Sequence, residues 1–173
     1  VFTRGCNMRC RYCHNPALIA RGETPAISLK DLERFLHARR GKLTAVVVSG
    51  GEPTLHADLN ALLHVFRSFG LSIKLDTNGL NYQQIAALIA AELVDYIAVD
   101  FKVPRCVAAA SSKQWLGVAH SAEKALQTLA HVAACGIPHE ARTTVVQGVH
   151  DCAGLEQMAG DLFLAKVEKW RLQ

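Results

Sequence analysis

The sequence has few aromatic residues, no long apolar run and no block of basic residues. Aromatic residues make up 6% of the 173 residues, and half are apolar, as in ordinary globular proteins. No stretch is apolar enough to span a bilayer and no signal-peptide pattern is present, so we expect a cytoplasmic protein without membrane association. The net charge of +4 is mild, and with no compact Lys/Arg block it predicts no nucleic-acid partner.

A disulfide framework is also missing, although the chain contains six cysteines. Cys106, Cys135 and Cys152 are scattered, and we interpret them as small apolar residues with free thiols. The other three follow the spacing C-x3-C-x2-C near the start of the sequence. The cysteine usage therefore indicates a reducing compartment and one local thiol motif.

The thiol motif consists of Cys6, Cys10 and Cys13. Thiolates are the usual ligands of iron–sulfur clusters, and a cubane cluster normally takes four of them. A cluster held by three would keep an open position at one iron, where a small molecule could bind and be activated. The motif therefore predicts a [4Fe–4S] cluster with one iron free of protein ligands.

Two alternatives to a cluster remain open from the residues alone. The cysteines could lie on one buried face of a helix, but the glycine, asparagine and arginine residues around them favour a loop. Cys6, Cys10, Cys13 and His14 could instead bind a structural zinc ion. Structural zinc sites usually pair two short clusters, and no second cluster follows here.

Strand and helix patterns alternate about six times along a chain whose length suits one domain. Such alternation predicts parallel strands with right-handed helical crossovers, either as a closed barrel or as an open sheet. Residues 103–117 are irregular, and we predict no element there. The fold class is therefore α/β.

Polar or glycine-rich turns follow the successive predicted strands. They are Gly50-Gly51-Glu52-Pro53, Asp76-Thr77-Asn78-Gly79 and Asp100-Phe101-Lys102, while Arg142 lies within the fifth strand. Sites in parallel α/β folds lie at the carboxyl ends of the strands, so these residues are candidates for one site. Alternatively they are ordinary turns and a rim ion pair between Asp100 and Lys102, with Glu52 near a helix start.

The segment from Gly5 to Pro16, which reads GCNMRCRYCHNP, resembles the cluster loop of radical S-adenosylmethionine (SAM) enzymes. Its Tyr-Cys-His-Asn ending resembles the activating enzymes of glycyl radical enzymes. Within that class the chain is most similar to the anaerobic ribonucleoside-triphosphate reductase activating protein group, with pyruvate formate-lyase activating enzyme as a near relative. The resemblance implies an incomplete (β/α)6 barrel of the radical SAM type, with residues 1–173 as one domain trimmed at both ends.

The resemblance also implies a role for each candidate residue. Cys6, Cys10 and Cys13 would bind the cluster, and Gly50, Gly51 and Glu52 would hold the methionyl amino group of SAM. Asp76, Thr77 and Asp100 would lie beside the cofactor carboxylate and share a monovalent cation, for which hard oxygen ligands are suitable. Lys102 would bind cofactor or substrate, and Tyr12, His14, Asn78 and Arg142 would complete the cofactor site. We interpret the other histidines as surface or packing residues.

The implied activity is that of a radical SAM oxidoreductase. It would reductively cleave SAM to a 5′-deoxyadenosyl radical with electrons from a flavodoxin or ferredoxin. The radical would abstract hydrogen from a glycine of a partner enzyme, for which anaerobic ribonucleoside-triphosphate reductase is the favoured candidate. The alternatives are a small-molecule enzyme similar to 7-carboxy-7-deazaguanine synthases and an electron-transfer iron–sulfur module, which would need a fourth cysteine.

Overall fold

A computed structural model describes residues 1–22 and 27–173 of the chain, and its centre is a six-stranded sheet. The strands follow one another in sequence order across the sheet, and each neighbouring pair is parallel. They are β1 (Phe2–Thr3), β2 (Ala45–Gly50), β3 (Ser72–Thr77), β4 (Tyr96–Asp100), β5 (His139–Thr143) and β6 (Trp170–Leu172). This topology confirms the predicted α/β fold and agrees with an incomplete (β/α)6 barrel.

Helices connect the strands. They are α1 (Leu29–Ala38), α2 (Leu59–Ser68), α3 (Tyr82–Ala90), α4 (Ala109–Leu116), α5 (Ser121–Ala134) and α6 (Cys152–Leu164). Single 3₁₀ turns at Pro16–Leu18 and Pro53–Leu55 follow β1 and β2. Among the described residues, no helix combines the length and the apolarity needed to cross a membrane.

Helix α4 lies where we predicted no element, so that prediction was wrong. The helix is only eight residues long, and Ala108 at its start offers no side-chain cap. Its polar residues also blur the apolar periodicity on which sequence prediction depends. The clearest local signal is Gly117, which ends the helix with a φ of +78°.

The core lies between the helices and one face of the sheet. Alternate strand residues such as Ile73, Leu75, Ile97 and Val99 are fully buried there. Because successive side chains of a strand point to opposite faces, the residues between them face the other side of the sheet. On β3, β4 and β5 these residues carry the charges of Lys74, Asp76, Asp100, Glu140 and Arg142. The fold therefore presents a charged concave face next to an apolar core.

The first loop packs directly on the turn after β2. The N–H of Gly51 donates to the carbonyl of Thr3 at 2.9 Å, and that of Glu52 donates to the carbonyl of Gly5 at 2.8 Å. A Cβ on Gly51 would lie 2.1 Å from the carbonyl oxygen of Gly5, which is far inside van der Waals contact. Glycine at position 51 therefore allows two backbone segments to touch.

We expect Gly51→Ala to lower the free energy of unfolding by about 2–3 kcal/mol, because backbone atoms on both sides must move apart. Gly160→Ala is the control, since a Cβ at this helical position meets nothing within 4 Å. It should raise stability by about 0.5–1 kcal/mol through better helix propensity. Urea unfolding followed by circular dichroism measures both, and equal effects would contradict the close packing.

Candidate functional site

A cavity of about 280 Å³ opens at the carboxyl ends of the strands. Every residue that the sequence predicted for the site lines it: Cys6, Cys10, Tyr12, Cys13, His14, Gly50, Gly51, Glu52, Asp76, Thr77, Asn78, Asp100, Lys102 and Arg142. The lining also includes residues that were not predicted, among them Met8, Ser49 and Thr144. The fold thus brings six parts of the chain to one place, the last of them being Gln173.

The loop that carries the three cysteines is held by backbone hydrogen bonds on two sides. On one side, Gly5 N–H donates to Leu18 and Cys6 N–H donates to Ile19, at 2.8 and 3.1 Å. On the other side, the N–H groups of Arg9 and Arg11 donate to the last residues of α4, at 2.7 and 2.9 Å. The unpredicted helix α4 is therefore one of the supports of the cysteine loop.

Within the loop, the side chain of Arg9 fixes the backbone. Its Nη1 donates to the carbonyls of Cys6 at 2.6 Å and Met8 at 2.9 Å. Met8 is only 2% exposed and anchors the loop in the core, while its N–H donates to Sγ of Cys6 at 3.4 Å. An N–H directed at sulfur favours the thiolate that a metal or a cluster requires.

Burial raises the pKa of the Cys6 thiol, and the hydrogen bond from the Met8 N–H offsets part of that rise. Burial also raises the pKa of Cys10, against the positive charge of Lys102. A raised pKa means that deprotonation of these thiols costs free energy. Binding of a metal or a cluster would offset that cost, because its ligands are thiolates. The three cysteines are thus partly buried thiols around a shared cavity, and an iron–sulfur cluster fits that donor set.

The zinc alternative finds no support in the side-chain positions. Nowhere in residues 1–22 and 27–173 do three histidine, cysteine or acidic side chains converge closely enough to hold one metal ion. Cubane ligands attach to different iron atoms and need not converge on a single point. The described residues therefore contain no preformed site for a single metal ion.

Glu52 braces two loops from a fully buried position. Its Oε1 accepts hydrogen bonds from the N–H and hydroxyl of Thr54, at 3.2 and 2.6 Å, and from the hydroxyl of Thr77 at 2.7 Å. Its Oε2 accepts from the N–H of Asn78 at 2.7 Å. Burial raises the pKa of Glu52, and these donors act in the opposite direction. The carboxylate therefore joins the turn after β2 to the turn after β3.

A network of alternating charges lines the strand ends. Arg142 donates to Asp100 Oδ1 through Nε at 2.9 Å and to Asp76 Oδ2 through Nη1 at 3.0 Å. Lys102 Nζ lies 2.9 Å from Asp100 Oδ2. Burial opposes ionisation of Asp100, but the charges of Lys102 and Arg142 outweigh it and hold the pKa of this carboxyl below its usual range. The same pairing raises the pKa of Lys102 despite burial.

Two buried oxygen atoms at the cavity have no hydrogen-bond partner within the described residues. They are the hydroxyl of Tyr12 and Oδ1 of Asp76. Burial raises the pKa of Tyr12 to about 12, so its hydroxyl stays protonated at neutral pH. Buried polar atoms are nearly always paired, so both atoms have hydrogen-bonding capacity left for a polar group in the cavity, and Oδ1 of Asp76 also lies 3.8 Å from Nζ of Lys74.

His150, which the sequence indicated to be a surface or packing residue, contacts the backbone of the site residue Lys102. The N–H of Val146 donates to Nδ1 of His150 at 3.1 Å, so the ring proton is on Nε2 and is donated to the carbonyl of Lys102 at 3.1 Å. Burial lowers the pKa of His150, which favours this neutral form. The only sequence signal was its place in the loop after β5.

Comparison with known proteins identifies the family. A family model described as the Radical SAM superfamily matches residues 1–156. A protein of Methanocaldococcus jannaschii, provisionally named a glycyl-radical enzyme activating enzyme, is 41% identical over 108 residues, which are 59% of this chain and 42% of that protein. The pyruvate formate-lyase-activating enzyme of Streptococcus mutans is 38% identical over 89 residues, which are 48% of this chain and 34% of the enzyme.

The fold is shared with solved structures at much lower identity. The structure of Streptococcus suis SuiB bound to S-adenosylmethionine superposes with a TM-score of 0.75 at 16% identity. That superposition covers 98% of this chain and 38% of SuiB. The chain thus spans less than half the length of these relatives.

We expect Glu52→Gln to lower the free energy of unfolding by about 2–3 kcal/mol, measured without any cofactor. Each carboxylate oxygen accepts from a backbone N–H, so an amide nitrogen on either side would face a donor. Glu156→Gln on the exposed surface of α6 removes the same charge and should change stability by less than about 0.5 kcal/mol. A Glu52→Gln protein as stable as the Glu156→Gln protein would show that the brace is unimportant for folding.

Proposed function

The chain belongs to the radical SAM superfamily, and we propose that it binds a [4Fe–4S] cluster through Cys6, Cys10 and Cys13 and binds SAM in the adjoining cavity. The observation that carries the proposal is that the three thiols line one cavity with all the predicted strand-end residues. When bound, the cluster and SAM would supply the one-electron chemistry that forms a 5′-deoxyadenosyl radical.

The residues of the chain would bind and orient the cofactor. Lys102 and Arg142 carry positive charges at the strand ends and are suited to hold its carboxylate. Glu52 is already bonded at both oxygens, so its part is to position the turn that would face the amino group. Tyr12 has a free hydroxyl with which to contact a polar group of the cofactor.

A monovalent cation beside Asp76, Thr77 and Asp100 is a further element of the proposal. Oδ1 of Asp76 accepts no hydrogen bond among the described residues and lies 3.8 Å from Nζ of Lys74, so it is the oxygen best placed to bind the cation. Arg142 already supplies positive charge between the two aspartates, and Thr77 Oγ1 donates to Glu52. Cation binding would therefore accompany a rearrangement of Arg142.

For the substrate, we infer a glycine of a partner enzyme, with anaerobic ribonucleoside-triphosphate reductase as the favoured partner. The inference is supported by relatives named as activating enzymes. It is also supported by the combination of the Tyr12–Asn15 motif with the turns at 76–79 and 100–102, all of which lie at the cavity. A flavodoxin or ferredoxin would supply the electron.

The cluster assignment predicts that anaerobic reconstitution yields stoichiometric iron and sulfide, and that dithionite with SAM yields 5′-deoxyadenosine. Cys10→Ala should abolish the product, while Cys135→Ala on the exposed end of α5 should leave it unchanged. Iron and sulfide analysis and chromatography of the nucleoside measure both. Stoichiometric zinc without sulfide would refute the cluster.

The activase assignment predicts that the loaded protein, mixed anaerobically with a glycyl radical enzyme, generates a glycyl radical visible by electron paramagnetic resonance. The signal should require SAM and reductant and be absent with Cys10→Ala. If candidate partners gain no radical while a purine-like small molecule is turned over, the substrate assignment is wrong and the small-molecule alternative stands.

A further inference from the structure

The charges of the chain are distributed unevenly in sequence. Residues 1–22 and 101–122 contain seven Lys and Arg residues and no Asp or Glu. The other twelve of the 19 basic residues lie in the rest of the sequence, together with all 15 acidic residues. A chain with a mild net charge thus has two segments that are strongly basic.

The fold brings these two segments together around the cysteine loop. Arg9 and Arg11 donate their N–H groups to the carbonyls of Leu116 and Trp115 at the end of α4. The guanidinium of Arg11 also lies over the ring of Trp115, 5.7 Å from its centre. Lys113 is exposed on the same helix. Exposed basic residues of both segments therefore flank the cysteine loop, whereas Lys102 lines the cavity and Arg105 pairs with Asp161.

We call this surface the basic rim, and it comprises Arg4, Arg9, Arg11, Arg21 and Lys113. All five residues are exposed. In the described part of the chain no carboxylate pairs with any of them. Arg9 and Arg21 donate only to neutral carbonyls, the latter to Leu55 at 2.9 Å.

Several other arginines do have acidic partners. Arg34, Arg67, Arg105, Arg142 and Arg171 each contact an aspartate or glutamate. The positive charge of the basic rim is therefore uncompensated within the described residues, and it is available to a partner of opposite charge.

We propose that the basic rim is the docking surface for an acidic one-electron carrier protein that reduces the cluster. The inference rests on the proposed radical chemistry, in which each SAM cleaved consumes one electron. That electron would pass from the reduced carrier to the cluster, so the carrier is oxidised by one electron and the cluster is reduced by one.

The two sides of the cysteine loop separate the electron donor from the substrate. Cys6, Cys10 and Cys13 line the cavity, whereas Arg9 and Arg11 of the same loop do not. A carrier on the basic rim would therefore approach the cluster from outside the loop and leave the cavity open to the hydrogen donor. For this reason we assign the surface to the carrier rather than to the glycyl radical enzyme.

Stopped-flow reduction of the reconstituted protein by a photoreduced acidic flavodoxin, followed by cluster absorbance, tests the proposal. The second-order rate constant should fall steeply as ionic strength rises from about 0.01 to about 1 M, as the Debye length shrinks from ~30 to ~3 Å. At low salt Arg11→Gln and Lys113→Gln should each lower the rate constant of reduction about threefold to tenfold. Electrostatic steering raises association rate constants by ~10- to 1000-fold in total, and each variant removes part of that gain.

Arg40→Gln and Lys42→Gln are the matched controls, since each removes one exposed positive charge outside the two basic segments. They should keep the rate constant within about twofold. Reduction by an uncharged photoreduced deazaflavin should be equal in all variants, which shows that the cluster itself is intact.

Equal rates for Arg11→Gln, Lys113→Gln and the two controls, or a rate constant independent of salt, would overturn the proposal. This readout does not depend on any glycyl radical. Reduction that needs the basic rim, combined with no radical in any partner enzyme, would support the docking surface and contradict only the substrate assignment.

Discussion

The contact between the backbone of Gly5 and the turn at Gly51–Glu52 is the constraint on which the site depends. The N–H of Glu52 donates to Gly5 at 2.8 Å and that of Gly51 donates to Thr3 of β1 at 2.9 Å, with no space for a side chain at position 51. The buried carboxylate of Glu52 then extends the connection to the turn after β3. The cysteines are therefore positioned by backbone packing and one carboxylate, before any cofactor binds.

The charges around this frame fall into two groups. Inside the cavity, Asp76, Asp100, Lys102 and Arg142 largely neutralise one another. Outside the loop, the arginines of the basic rim have no such partners among the described residues and create a lasting positive field. Short-range pairing thus suits ligand orientation, while an unpaired surface charge suits the steering of a protein.

Much of the fold and the site was predictable from local patterns. Apolar strands, capped helices and polar turns after successive strands predicted a parallel α/β fold, and the spacing of Cys6, Cys10 and Cys13 predicted a loop that wraps its thiols around one site. All predicted site residues line one cavity because parallel strands bring their carboxyl ends to the same edge. Helix α4 was missed because eight residues with weak periodicity carry too little local information.

Short motifs and the period of two within strands specify which residue types stand at each strand end, and both can be read from the sequence. Which hydrogen bonds and ion pairs these residues form depends on the tertiary structure. Burial assigns Glu52 to four internal hydrogen bonds, and His150 supports Lys102 across 48 residues of chain. Such partners are close in space and distant in sequence, so no local pattern can specify them.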